Sequence, residues 1–237
     1  MIRLSKRLRR LADMVEQGAV LADIGTDHGY VPICLLKEGR IPRAFAMDIK
    51  KGPLLLAKEH INAYGLGDYI TLRLSDGMKN LAPGEADSIL IAGMGGSVML
   101  HILEEGKAAL SSAKELILQP QSEIYKVRRY LYQNGFVADR EDIVYENGKY
   151  YPMMHIRLAD GKRERPSYSE GKWQAVYRYA EPSLISDKEL YVQYLLYKEK
   201  QYGTVFKALD GKDGETARMR REEIIKELCY VKRALEA

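Results

Sequence analysis

The sequence predicts an α/β chain: a mostly parallel, doubly wound sheet that ends in an antiparallel hairpin, followed by a helical C-terminal region. Three observations predict this. Apolar runs and helix-period segments follow one another from Ala19 to Asn134 as five strand–helix units. Asn147-Gly148 then joins two strand-like runs, a strong hairpin signal. After Ile185, apolar positions recur at helical spacing in two long stretches separated by GKDG at 211–214.

Each element has its own signal. Leu4, Leu8, Leu11 and Met14 or Val15 alternate with basic groups, which predicts an amphipathic helix over 3–16 that ends near Gly18. AVLADI (19–24) reads as a buried strand, and the segment after Tyr30 as a helix with Pro32 tolerated in its first turn. Strand 43–49 precedes a helix over 52–65, with Pro53 early and Gly65 late. Strands at 69–76, 86–93 and 114–120 follow, with helices over 97–109 and 122–134. FVADREDIVYENGKYYPMMHIRLA (136–159) supplies the hairpin. GKRERPSYSEGK (161–172) is charged and rich in glycine, proline and serine, and reads as a connection. The expected domains are therefore 1–160, carrying the sheet, and 161–237, a helical hairpin or short coiled coil.

The bulk numbers narrow the function classes. The 237 residues, 46% of them hydrophobic, suffice for one α/β domain and a smaller unit. The two cysteines, Cys34 and Cys229, indicate neither a disulfide framework nor a thiolate metal site. The four histidines, His28, His60, His101 and His155, show no metal-ligand spacing, so no metal is expected. No run approaches the roughly 18 apolar residues of a membrane span. The N-terminal MIRLSKRLRRLADMV interleaves apolar and basic groups, unlike an export signal, so a cytoplasmic location is expected. Nothing fixes the oligomeric state, and a monomer is entertained.

Charge points toward a polyanion. The net charge is +4, and Arg3, Lys6, Arg7, Arg9 and Arg10 crowd the first ten residues without an acid. Residues 161–237 carry 16 basic and 13 acidic groups. Solvated helix faces and a nucleic-acid footprint both explain such runs. Eight tyrosines lie between 168 and 230, where helix packing is the simpler reading than base stacking.

An open parallel sheet binds ligands beyond the carboxyl ends of its strands, and four polar clusters fall there. They are Asp23, Gly25, Asp27 and Gly29 after the first strand; Asp48 and Ile49 after the second; Ser75, Asp76 and Gly77 after the third; and Ala92 through Gly96 after the fourth. Asp48, 25 residues beyond Asp23, suits the two hydroxyls of a ribose and does not tell a nicotinamide from an adenosyl cofactor. The first loop does. LADIGTDHGYVP (21–32) lacks the glycines of a dinucleotide fingerprint and carries Asp27 where phosphates would lie. A methyl donor of the S-adenosylmethionine type is cationic and suits Asp23 and Asp27 instead. Sheets serving such donors commonly end in a hairpin. Asp27 also fits a helix N-cap, and Asp76 fits either an adenine amino group or a turn before Gly77. Gly93, Met94, Gly95 and Gly96 offer backbone for a flat ring to approach, or simply a tight helix start.

LADIGTDHGYVP, AMDIKKGPL, LSDG, ILIAGMGG and LILQP together resemble the bacterial tRNA adenine-22 N1-methyltransferase family, over essentially the whole chain. The resemblance implies a Rossmann-like methyltransferase domain, a coiled-coil-like helical domain, S-adenosylmethionine as cofactor and tRNA as partner. It places Asp23, Gly25, Asp27, His28, Gly29, Asp48 and Asp76 in cofactor-binding motifs, and Gly93–Gly96 beside the methyl group and target base. Ile49, Ser75, Gly77 and Ala92 flank those motifs and are expected at the cofactor. Asp27 and the Gly93–Gly96 loop, including Met94, are the expected catalytic positions. Arg3, Lys6, Arg7, Arg9 and Arg10, then Arg128 and Arg129, are the expected tRNA contacts, with Tyr30 a candidate for stacking on adenine. Three other readings stay open: a methyltransferase for another RNA adenine or a small metabolite, a nicotinamide oxidoreductase, and a non-enzymatic RNA-binding module.

Overall fold

The computed structural model describes residues 2–158 and 167–236. Seven strands form one sheet in the order β3-β2-β1-β4-β5-β7-β6. They are β1 (Leu21–Ile24), β2 (Ala44–Asp48), β3 (Ile70–Leu74), β4 (Ser88–Met94), β5 (Glu115–Pro120), β6 (Ala138–Glu146) and β7 (Lys149–Arg157). The first five pair in parallel; β7 runs antiparallel to both β5 and β6. Asn147 and Gly148, both at positive φ, make the hairpin turn.

Alternation along the strands divides the core into two layers. Ile89, Ile91, Leu116 and Leu118 join one cluster with Met99, Ile102 and Val127. Leu90 and Ile117, one residue out of phase, join the other with Leu11, Met14, Ile33 and Ile61. The first cluster is completed by α4 (Gly96–Glu105) and α6 (Ile124–Gln133). The second is completed by α1 (Lys6–Met14), α2 (Tyr30–Lys37) and α3 (Lys51–Ala63). Strands β1 and β5 are buried along their whole length, as strands covered on both faces must be.

The C-terminal part holds α7 (Glu170–Tyr179), α8 (Lys188–Ala208) and α9 (Glu215–Leu235). Its own core of Tyr179, Ile185, Tyr191, Tyr194, Leu195 and Val231 also takes in Ile143 of β6, so the helices are packed onto the sheet's edge.

The structure departs from the sequence reading in four places. No helix separates β3 from β4, so the third of the five expected units is strand and loop. The helix expected over 97–109 is two, because Gly106 ends α4 and a short α5 (Lys107–Leu110) follows. Part of the expected connection is helix: Ser169 caps α7 by accepting from the Lys172 amide, giving three C-terminal α-helices among the described residues rather than two. The N-terminal helix begins at Lys6, where Ser5 caps it, rather than at Arg3. The expected boundary at 160/161 lies outside the described residues.

Candidate functional site

A cavity of about 580 Å³ opens at the carboxyl ends of β1, β2 and β4, where an open sheet binds ligands. The loop after β1 forms its floor. Gly25 and Gly29 both sit at positive φ, and the Gly25 and Thr26 amides donate to the Met47 carbonyl at 2.8 and 2.9 Å. A Cβ on Gly25 would stand 2.0 Å from the Met94 Cε, so the first loop and the end of β4 close directly on each other.

Three carboxylates line this cavity. Asp23 is buried and accepts from the Thr26 hydroxyl at 2.7 Å. Burial pushes its carboxyl up to about 6; the Thr26 hydrogen bond opposes this and the charge of Asp48 adds to it. Asp48, at the end of β2, accepts from the Lys50 amide through Oδ1, which turns the chain into α3. Asp27 lies at the rim with its side chain 75% exposed, its carboxylate 3.1 Å from His28 Nε2. Asp27 does not cap α2: its N-cap is Gly29, without a side-chain bond. The rings of His28, Tyr30 and His60 pile up beside the loop, with centroids 5.1 Å apart for the first pair and 5.0 Å for the second.

The fourth-strand loop has two distinct parts. Gly93, at positive φ, creates a register shift in β4 between Ala92 and Met94, and Ala92, Gly93 and Met94 all line the cavity. Gly95 and Gly96 do not appear on its lining. Gly96 donates to the Ser122 carbonyl, where a Cβ would be only 2.7 Å from that oxygen, and Glu123 binds the Ser97 amide and hydroxyl. Gly96 is thus required by the contact between α4 and the loop before α6.

The expected cofactor residues Asp23, Gly25, Asp27, His28, Gly29, Asp48, Ile49 and Ala92 are brought together on this cavity, with Tyr30. Ser75, Asp76 and Gly77 are not on its lining. The Ser75 hydroxyl accepts from the Asn80 amide and donates to the Gly77 carbonyl, while Asp76 pairs with Lys79 at 2.6 Å. Sequence reasoning missed Thr26, Lys50, Pro53 and Gln121, which also line it. Thr26 was findable, since a threonine three residues after a buried aspartate can reach back to it.

The basic residues separate by environment. Arg7 enters the cavity, donating to the buried Gln119 at 3.0 Å beneath the Tyr151 ring. Arg9 pairs with Glu38 and Arg10 with the buried Asp142, whereas Arg3, Lys6 and Arg129 are exposed. Arg128 corrects the sequence reading. It is buried, pairs with buried Glu141 at 2.7 Å and donates to the carbonyls of Tyr177 and Arg178, so no phosphate reaches it. That pair fastens α6 and β6 to α7.

The cavity fits an adenosyl methyl donor. Its carboxylates favour a cation over a pyrophosphate, and the Met94 methyl closes on Gly25 where any side chain would clash. Among the described residues no group of three His, Cys, Asp or Glu side chains is arranged to hold a metal ion, and no helix is long and apolar enough to cross a membrane.

Residues 4–154 match the family described as "Methyltransferase domain". The chain is 40% identical over 159 residues to the tRNA (adenine(22)-N(1))-methyltransferase of Bacillus subtilis, covering 67% of each chain. The chain belongs to that methyltransferase family. Solved members extend the likeness through the helical tail. The crystal structure of the B. subtilis m1A22 tRNA methyltransferase TrmK superposes with a TM-score of 0.81 at 29% identity, over 98% of this chain and 99% of that one. Streptococcus pneumoniae Sp1610, solved in complex with S-adenosyl-L-methionine, gives 0.83 at 29% identity, over 98% and 100%.

Proposed function

We propose that this methyltransferase moves a methyl group from S-adenosylmethionine to N1 of adenine 22 in tRNA, in the cytoplasm. The observation that carries the reading is the cavity itself. Buried Asp23 and half-buried Asp48 face an open, glycine-floored space, with Arg7 and the Gly93 turn on its other lining. The B. subtilis and S. pneumoniae relatives supply the substrate and the donor respectively.

S-adenosylmethionine, when bound, supplies an electrophilic methyl group. Asp48 is placed to accept from ribose hydroxyls, and Asp23 to offset positive charge. Neutral adenine carries a lone pair and no proton on N1, so the protein's task is to position the base rather than deprotonate it. Gly93 and Met94 are the backbone against which the ring is set. Asp27, exposed at the rim, would offset the positive charge that develops as N1 gains its methyl. Arg7, fixed by Gln119, is the cation closest to the Gly93 turn, its Nη1 only 3.9 Å from where a Cβ on Gly93 would stand. It is suited to a phosphate of the target strand. Adenine 22 must leave its place in folded tRNA to reach this space, with the helical tail holding the rest of the molecule.

The test is methylation of an unmodified tRNA transcript by the full chain, with the modified position mapped. One methyl group at N1 of adenine 22 is expected, and none on a transcript carrying guanine there. Label at another position, or no transfer to tRNA, would sink the reading.

A further inference from the structure

A second cavity, of about 270 Å³, lies where β5, β7 and α8 meet. It shares Gln121 with the methyl-transfer cavity, and Gln119 on its wall is the acceptor that holds Arg7. The two spaces are therefore neighbours across a single residue. Its size is near the roughly 300 Å³ lower bound of small-ligand clefts.

Its walls combine aromatic rings with cations. Tyr150 is half-buried, its ring 5.1 Å from that of the exposed Tyr197 and 5.4 Å from that of Tyr194. The Lys198 ammonium lies 5.8 Å from the Tyr194 centroid and makes no ion pair among the described residues. Burial lowers its pKa, with the charge of Glu227 opposing. Lys149 adds a second positive charge at the mouth. Packing alone accounts for Tyr191 and Tyr194, which are buried in the tail's core. It does not account for Tyr197, which keeps 38% of its surface exposed at this cavity.

We infer that this cavity is a nucleotide subsite for the same RNA: a base flanking the methylated one stacks on Tyr150 and Tyr197, and its phosphate meets Lys198 and Lys149. Aromatic faces with adjacent cations are how proteins hold an unpaired nucleotide without reading its identity. A base taken out of a folded tRNA leaves neighbours that also lose their stacking partners. A site one residue away from the reaction space receives such a neighbour.

The inference rests on the tRNA reading, and its test separates the two. Full-length wild type, Tyr197→Ala, Tyr197→Phe and Lys198→Gln are compared on unmodified tRNA transcript, with the donor's Kd measured on each. Tyr197→Ala is expected to raise the KM for tRNA about tenfold. Tyr197→Phe, which keeps the ring, is expected to restore it. Lys198→Gln is expected to lower the slope of log affinity against log salt by about one. The donor's Kd should hold throughout. A wild type that transfers nothing to tRNA defeats the functional reading itself. An active wild type whose tRNA KM and salt slope survive Tyr197→Ala and Lys198→Gln overturns the subsite alone. A parallel loss of donor affinity also overturns it, because the residues would then serve the fold and not the RNA.

Discussion

Asp23 shows how one residue joins burial to ligand choice. Its carboxyl is held up to about 6 because burial outweighs the Thr26 hydrogen bond. A cationic donor binds best to the ionised form. Near neutral pH that form dominates; below about pH 6 binding must first expel a proton. The donor's Kd is therefore expected to stay flat from pH 8 to 7 and then to rise toward about tenfold per pH unit below 6. Calorimetric titration over pH 5–8 measures this, and Asp23→Asn should bind weakly with a flattened profile. A wild-type Kd that does not change between pH 7 and pH 5 would show that Asp23 does not meet the donor's charge. The acid–glycine pattern of the loop made Asp23 and Gly25 legible in sequence. The Met94 methyl over Gly25 was not legible, because it comes from β4, more than sixty residues away.

At the scale of elements, periodicity exposed most strands and helices, because their burial follows from the pattern of apolar side chains. Its failures have physical causes. Residues 170–172 looked like the end of a connection because polar groups crowd them, yet they open α7, whose Trp173 and Tyr177 pack with Tyr132 and hold it against α6. Arg128 looked like a surface cation because its carboxylate partner sits on β6 and its carbonyl partners on α7. His155 on β7 is a similar case. It lies between Asp139 and Glu115, at 2.5 and 2.7 Å, and ties the hairpin to β5. Burial works against its charge, but the two hydrogen bonds prevail and raise it to about 9. An unfolded histidine titrates near 6.5. The stabilisation from charged His155 is thus complete below about pH 6.5 and is lost as pH rises through about 9. The difference is worth on the order of 3 kcal/mol. Urea unfolding should show wild type losing about that much between pH 6 and pH 9.5, and His155→Gln, weaker at pH 6, losing far less. Equal pH slopes for the two proteins would mean that the carboxylates do not hold the charge.

For the whole molecule, charge counting pointed toward a polyanion without telling which basic residues are free to meet one. Five basic residues near the N-terminus looked equivalent; the fold sends Arg7 into the cavity, pairs Arg9 and Arg10, and leaves Arg3 and Lys6 outside. The tail demands the same discrimination. Removing it is a poor test of RNA binding, because the tail covers Ile143 and supplies the carbonyls that satisfy buried Arg128. A chain cut after Leu158 would leave that cation short of partners and is expected to melt at least about 5 °C lower, whatever its RNA affinity. Reversing exposed charges separates the two effects. Lys200, Lys207 and Arg218 lie exposed on α8 and α9, so Lys200→Glu, Lys207→Glu and Arg218→Glu together leave the core untouched. If the tail holds tRNA phosphates, this triple variant should keep the wild-type Tm and donor Kd while its tRNA affinity falls and its salt dependence becomes shallower, by about one in slope for each phosphate no longer neutralised. A tRNA salt series with the same slope as wild type would remove these faces from the interface and leave the RNA to Arg7 and the cavities beside it.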